Sequence, residues 1–229
     1  MKTISQGKIF VSDQRGTIQN KHLTRHSTFS NSEHFFNPVK EPIGNLYALH
    51  DDMLAPMSSY NFYTQEKGYI ILLPVTGTLN YLDDQENETE IEIGQSLTIF
   101  LEKNTFVKLT NPFESHTINY VVIGIKAQES APTTPMFSEV DLSKLNHLHC
   151  ATPNFLPFKI SLGQFNGRGS TEYFLNSTAI FYAFVLSGAF EIDGRLLHDR
   201  DGIALWETET IEMEALSNYA TLIAIELCL

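Results

Sequence analysis

GYIILLPVTGTLNYLDDQENETEIEIGQSLTIFLEKNTFVKLTN, the stretch from Gly68 to Asn111, is written as strand, glycine turn, strand, acidic turn, strand, glycine turn, strand. Ile70 to Leu73 form a short apolar run of the kind that a strand buried on both faces requires. Gly77 breaks that run, and Thr78 to Tyr81 resumes it with alternation. Asp83 to Glu88 is a polar turn cluster, after which Glu90-Ile91-Glu92-Ile93 alternates up to Gly94. Leu97 to Leu101 and Phe106 to Thr110 complete the series. Nothing in the stretch repeats at helical spacing. Antiparallel strands with turns every few residues predict a sandwich or a barrel.

Working outward, the same grammar returns about a hundred residues later, a period that marks a repeated structural unit. Ile180 to Tyr219 reads IFYAFVLSGAFEIDGRLLHDRDGIALWETETIEMEALSNY. Laid over the first stretch, Gly77 falls on Gly188 and Gly94 on Gly202, and each copy closes on an asparagine, Asn111 and Asn218. The chain is therefore expected to hold two copies of one β domain. The segment from Lys126 to Leu145 carries Ser130-Ala131-Pro132-Thr133-Thr134-Pro135, which suits neither strand nor helix interior, and reads as the linker. Asp141 to Leu145 could close one helical turn. These boundaries give a first barrel over 1–125, a linker and crossover over 126–150, and a second barrel over 151–229.

Composition narrows the function classes. A chain of 229 residues is ample for two cores. Its net charge of −12, with no cluster of Arg or Lys, repels phosphate backbones and argues against nucleic-acid binding. No stretch is long and apolar enough to span a membrane, and the opening residues lack the apolar core of a secretory leader, so a cytoplasmic setting is expected. Cys150 and Cys228 stand far apart without a C-x-x-C pattern and read as two thiols in a reducing compartment. The glycosylation sequons at Asn87 and Asn176 carry no weight in that setting.

Several histidines invite a metal reading. His22, His26 and His34 lie in a Ser/Thr/Asn-rich stretch with no carboxylate or cysteine to complete a set, and read as surface or loop residues. His147 and His149 have the alternate spacing that places both imidazoles on one strand face, again without a further ligand nearby. His116 and His198 read as solvated. No G-x-S-x-G elbow is present. Glu88, Glu90 and Glu92, and likewise Glu207, Glu209, Glu212 and Glu214, alternate as solvated strand faces do.

The order of motifs resembles the pirin family of bicupins, which includes quercetin 2,3-dioxygenase-like proteins. The matching features are Arg15-Gly16, Ser27-Thr28-Phe29, Gly44-Asn45-Leu46, and His50-Asp51-Asp52-Met53-Leu54-Ala55-Pro56. They continue with the acidic hairpin Tyr81 to Asn87, the run Leu186 to Gly194, and Arg200-Asp201-Gly202-Ile203-Ala204-Leu205-Trp206. The resemblance implies an all-β fold of two tandem cupin barrels, each a double-stranded β-helix or jelly roll. It also implies a single iron-type ion in the first barrel, held through an H-P-H motif on one strand and H-x-E on a later one.

Counted onto this sequence, the resemblance puts H-P-H on Tyr63-Thr64-Gln65 and H-x-E on Val107-Lys108-Leu109, so all four ligands are replaced. A further glutamate general to cupins falls on Tyr69. In the second barrel the same count lands on Phe174 and Asn176. The expectation is a first barrel with neither metal nor other cofactor and no catalytic residues. Its candidate ligand pocket is formed by Tyr63, Gln65, Tyr69, Val107 and Leu109. Three readings stay open. The first is a binding module for a small aromatic or apolar ligand, or for a protein partner. The second is a quercetinase-type dioxygenase with displaced ligands drawn from His50, His116 or the His147/His149 pair. The third is a pair of structural barrels whose acidic surface mediates a homodimer. Tyr60, Phe62, Tyr63 and Tyr69 could equally fill the first barrel as core.

Overall fold

A computed structural model describes residues 5–30, 37–83, 87–176 and 178–228. Among these the only helical element is a 3-10 turn at Ser12–Gln14; the rest is strand, turn and loop. After β1 (Gln6–Phe10), the first barrel runs through β2 (Gly16–Gln19), β3 (Leu23–Ser27), β4 (Leu46–Leu54), β5 (Ser59–Tyr63), β6 (Gly68–Thr76) and β7 (Leu79–Leu82). It continues with β8 (Glu88–Ile91), β9 (Gln95–Leu101), β10 (Phe106–Thr110), β11 (Ile118–Lys126) and β12 (Met136–Glu139). The second barrel comprises β13 (His149–Cys150), β14 (Phe158–Phe165), β15 (Ser170–Phe174), β16 (Ile180–Ser187) and β17 (Phe190–Ile192). It closes with β18 (Arg195–Leu197), β19 (Gly202–Trp206), β20 (Thr210–Ala215) and β21 (Ala220–Leu227).

Each barrel is a large antiparallel sheet facing a small one. In the first, the order β12-β9-β6-β11-β4-β3-β2 faces β5-β10-β7-β8. In the second, β1-β19-β16-β21-β14-β13 faces β15-β20-β17-β18. The expected all-β fold of two cupin barrels is what forms. Strand alternation explains the cores: Ile70 and Leu72 of β6 and Leu97 and Ile99 of β9 meet Phe62, Leu79, Val107 and Leu109 of the small sheet. Burying each such side chain contributes about 1.5–3 kcal/mol.

The internal repeat is β4–β11 against β14–β21. Gly77 and Gly188 follow β6 and β16 with φ of 76° and 79°, a left-handed conformation that glycine adopts without penalty. The second sequence correspondence needs correcting. Leu72 pairs with Leu97 in the first barrel and Ala183 with Ile203 in the second, so Gly202 matches Ser96. The counterpart of Gly94 (φ 86°) is Arg200 (φ 65°), which makes the same turn without glycine.

The domain boundaries also differ from the sequence reading. The compact units are Arg15–Glu139 on the one hand, and Met1–Gln14 with Val140–Leu229 on the other. The opening strand β1 pairs with β19 of the second barrel, from Gln6 opposite Trp206 to Phe10 opposite Gly202. Its two ends are tied down: the Ser5 amide donates to the Asp193 carboxylate (3.0 Å), and the Ser12 amide to that of Asp201 (2.7 Å). Arg195 donates to the Ser5 carbonyl. The supposed linker supplies β12, which pairs with β9 from Met136 opposite Thr98 to Glu139 opposite Gln95. Both additions satisfy the same physical need, because β9 and β19 would otherwise be bare sheet edges. Residues 141–145 form turns rather than a helical turn.

A donor-lined pocket inside the first barrel as candidate functional site

The site is built on the hairpin-like pair β3 and β4. In β3 the residues Leu23, Arg25 and Ser27 are buried and Thr24 and His26 half-buried, so a strand alternation brings an arginine to the inner face. Directly opposite in register stand Asp52 and His50 of β4, with Arg25 facing Asp52 and Ser27 facing His50. Arg25 Nε donates to Asp52 Oδ1 at 2.8 Å and Nη2 to Oδ2 at 2.5 Å, a two-point pairing that requires the carboxylate form. Nη1 donates to the Tyr60 hydroxyl at 3.1 Å, and the guanidinium lies 4.7 Å from the Tyr60 ring centroid and 5.4 Å from that of Phe62. Tyr120 of β11 completes the group, opposite Asp52 on the other side.

Burial governs the electrostatics. It works against the charge of Arg25, but the adjacent Asp52 outweighs it and holds the guanidinium above its ordinary pKa. Burial likewise lifts the Asp52 carboxyl, with Arg25 pulling it back. The Tyr120 phenol is pushed well up, by burial first and then by the Asp52 charge. His50, 7% exposed, shares a hydrogen bond between Nδ1 and the Ser27 hydroxyl at 2.9 Å. Burial, then the neighbouring Arg25 charge, keeps this imidazole well below its usual pKa, so it is neutral at physiological pH.

Asp51, next in the chain, points to the other face of β4. It receives Arg15 Nη1 at 3.0 Å and Asn119 Nδ2 at 2.8 Å. Arg15, Asp51 and Asp52, which carried part of the family resemblance, are thus halves of two ion pairs on opposite faces of one strand.

Between these groups lies a cavity of about 150 Å³, lined by Arg25, Ser27, His50 and Tyr60, with Phe62 and Tyr47 as aromatic walls and Tyr63 and Gln65 at its rim. The five residues expected to form one pocket are therefore divided. Tyr63 is 57% exposed on β5, facing Phe106 of β10 with ring centroids 5.5 Å apart, and Gln65 is exposed beyond the strand end. Val107 and Leu109 are buried in the barrel core, opposite Phe62 and Tyr60. Tyr69 packs edge-on against Phe100, on the face of β6 opposite to Ile70 and Leu72. Parity explains the division: on β5 the inward residues are Tyr60 and Phe62, so Tyr63 alternates outward. Of the four aromatics proposed as a plug, Phe62 fills the core and Tyr60 packs against it.

The residues do not fit the ion that the family resemblance implies. Val107 and Leu109 offer no donor atom, and Tyr63 and Gln65 do not share their face. Three other histidines are engaged separately, His22 Nδ1 with Ser58 Oγ (3.0 Å), His26 Nδ1 with Thr17 Oγ1 (3.0 Å) and His116 Nδ1 with Ser115 Oγ (3.0 Å), while the His147 and His149 rings meet edge-on with centroids 6.4 Å apart. His149 Nε2 donates to the Lys144 carbonyl at 2.9 Å. His34 lies outside the described residues. Among the described residues, no three of His, Cys, Asp and Glu group closely enough to hold an ion. Among them, too, no helix is long and apolar enough to cross a membrane.

Residues 158–227 match the family described as the quercetinase C-terminal cupin domain. The bacterial pirin YhhW from Escherichia coli, solved in complex with nickel(II), superposes with a TM-score of 0.83 over 97% of this chain and 99% of that one, at 15% identity. The chain has the pirin-like bicupin fold. Other structural neighbours include the protein YhaK from Escherichia coli (TM-score 0.72, 16% identity, 95% of each chain). A quercetin 2,3-dioxygenase from Acinetobacter baumannii gives 0.70 at 13% identity, over 93% of this chain and 85% of that one. No protein of curated description matches the sequence.

Sequence reasoning missed the Arg25–Asp52–Tyr120 group. The stretch holding Arg25 looked like a polar loop, yet Leu23, Arg25 and Ser27 alternate at strand period. A buried arginine in such an alternation needs a buried carboxylate partner, and the Asp51-Asp52 pair was the signal that could have supplied it.

Proposed function

We propose that this bicupin is a small-molecule-binding protein whose first barrel takes a planar aromatic ligand bearing acceptor oxygens, such as a carboxylate or an enol, without metal coordination. The observation that carries the reading is the 150 Å³ cavity whose polar wall is made mostly of donors: the Arg25 guanidinium, the Ser27 and Tyr60 hydroxyls and the Tyr63 phenol at the rim. Tyr47 and Phe62 supply flat apolar walls for a ring. Asp52 fixes the guanidinium in place before the ligand arrives, which lowers the ordering cost of binding. The ligand positions of the metal-binding relatives carry no donor set here, so the reading favours binding over oxygenation.

Calorimetric titration with benzoate tests it. Saturable binding is expected, lost in an Arg25→Met/Asp52→Leu variant that remains folded. Heat indistinguishable from dilution for benzoate and for related small aromatic acids and enols would end the proposal. A homodimer or a protein partner stays a separate question, answered by light scattering.

A further inference from the structure

The first barrel holds a second, larger cavity, of about 400 Å³, which shares no lining residue with the one just described. Its apolar floor is Tyr81, Ile99 and Val107, all nearly fully buried, with Leu101 beside them and Phe106, 46% exposed, at the side. The volume falls in the range of small-molecule sites, and the floor is of the apolar and aromatic kind that such sites use. The rim is different in character from that of the first cavity. It carries two carboxylates, Asp83 and Glu102, and the hydroxyls of Thr105, Thr133 and Thr134; among the described residues no Lys, Arg or His lines it.

Both carboxylates are positioned by the fold. Asp83 accepts the Asn87 amide on Oδ1 (2.8 Å) and the Asn87 side-chain amide on Oδ2 (2.9 Å). Glu102 directly follows β9; its carbonyl accepts from Thr64 Oγ1 at 2.7 Å and its carboxylate accepts from Ser130 Oγ at 3.3 Å. Thr133 to Pro135, the stretch that leads into β12, also line the cavity.

We infer that this cleft is a binding site for an organic cation: an ammonium group on an aromatic or aliphatic body, its charge set between Asp83 and Glu102 and its body on Tyr81, Phe106 and Val107. An ammonium is attracted by carboxylates and by aromatic faces alike, whereas a carboxylate ligand would meet two like charges at this rim, with threonine hydroxyls alone to donate to it among the side chains that line it. The inference goes beyond the proposed function and does not rest on it, since the two cavities differ in lining and in the sign of the charge they favour.

Titration of the full chain with tryptamine, and with the anionic analogue indole-3-propionate, tests it. Tryptamine is expected to bind, and an Asp83→Asn/Glu102→Gln variant to bind it at least tenfold more weakly, with Phe106→Ala also weakened. The Arg25→Met/Asp52→Leu variant should bind tryptamine as the unaltered chain does. Equal affinity in the Asp83→Asn/Glu102→Gln variant, or no binding by the unaltered chain, would overturn the inference. Loss of tryptamine binding in the Arg25→Met/Asp52→Leu variant would overturn it as well, by placing the amine in the other cavity.

Discussion

The two barrels are built from the same strands and differ in what fills them. Anchoring Gly77 on Gly188 and following the registers, Tyr120 of the first barrel matches Leu222 of the second, and Asp52 matches Gly163. Extending the β13–β14 pairing by one residue brings Leu148 to the place of Arg25, and the Leu148 side chain does lie beside Gly163. Arginine, aspartate and tyrosine are thus replaced by leucine, glycine and leucine. His50 and Ser27 become Ser161 and Cys150, while Val107 and Leu109 correspond to Ile211 and Met213 in an apolar core. One scaffold accepts either a sealed hydrophobic interior or a polar one. The polar version is tolerated because each buried charge has a partner in register across the strand pair.

That comparison can be broken at its costliest point. Asp52→Ala leaves the Arg25 guanidinium buried and unpaired, and is expected to cost about 3–5 kcal/mol in urea unfolding. Arg25→Met/Asp52→Leu, which moves the first barrel toward the second, should cost less than half as much as Asp52→Ala. If the double variant is the worse of the two, the ion pair itself is holding the barrel together and the two interiors are not interchangeable.

The asparagines matched in sequence do not occupy equivalent places, since the registers set Asn111 against Ala215, and they make a second contrast. Asn111 is fully buried and its side-chain amide donates to the carbonyls of Leu54 (2.9 Å), Ala55 (3.1 Å) and His116 (2.7 Å). Asn218 is exposed and accepts from the Gly167 amide at 3.0 Å. Asn111→Ala should lose about 1–3 kcal/mol, and Asn218→Ala about 0.5 kcal/mol or less, measured in the same denaturant series.

A third test uses pH. His50 has a depressed pKa in the folded state, so below its unfolded value near 6.5 the unfolded chain binds a proton that the folded chain does not. Stability at this group is therefore complete above that value and falls as pH drops below it, by up to about 1.4 kcal/mol per pH unit. His50→Gln should flatten that part of the profile between pH 6.5 and 5, whereas Ser161, its counterpart, contributes no titration there. The smallest expected effect on stability is at the rim. Tyr63→Ala, at a position more than half exposed, should change stability by under about 0.5 kcal/mol while weakening benzoate binding.

Much of this fold was legible in the chain. The apolar run at Ile70 to Leu73 and the turn glycines Gly77 and Gly188 report local geometry directly, so the strands, the repeat and the jelly-roll class could be read. The Gly94–Gly202 match misled because Arg200 makes an αL turn without glycine, a conformation with no sequence signature. β1 and β12 were misassigned because covering a sheet edge depends on a distant partner, which no local pattern in QGKIF or MFSE encodes. The site was only half legible. Counting along the chain identified Val107 and Leu109 as interior positions, but on β5 it missed the inward face by one residue, which sends Tyr63 to the rim and Phe62 to the core. Arg25 and Asp52 could be joined only by the β3–β4 register, which pairs residues far apart in the chain.

Benzoate titration of the unaltered chain, repeated after exhaustive treatment with EDTA, tests the account most directly. The account predicts saturable binding whose affinity and stoichiometry are unchanged by the chelator, and its loss in Arg25→Met/Asp52→Leu. Binding that disappears with EDTA and returns with added Fe(II) or Ni(II) would contradict it.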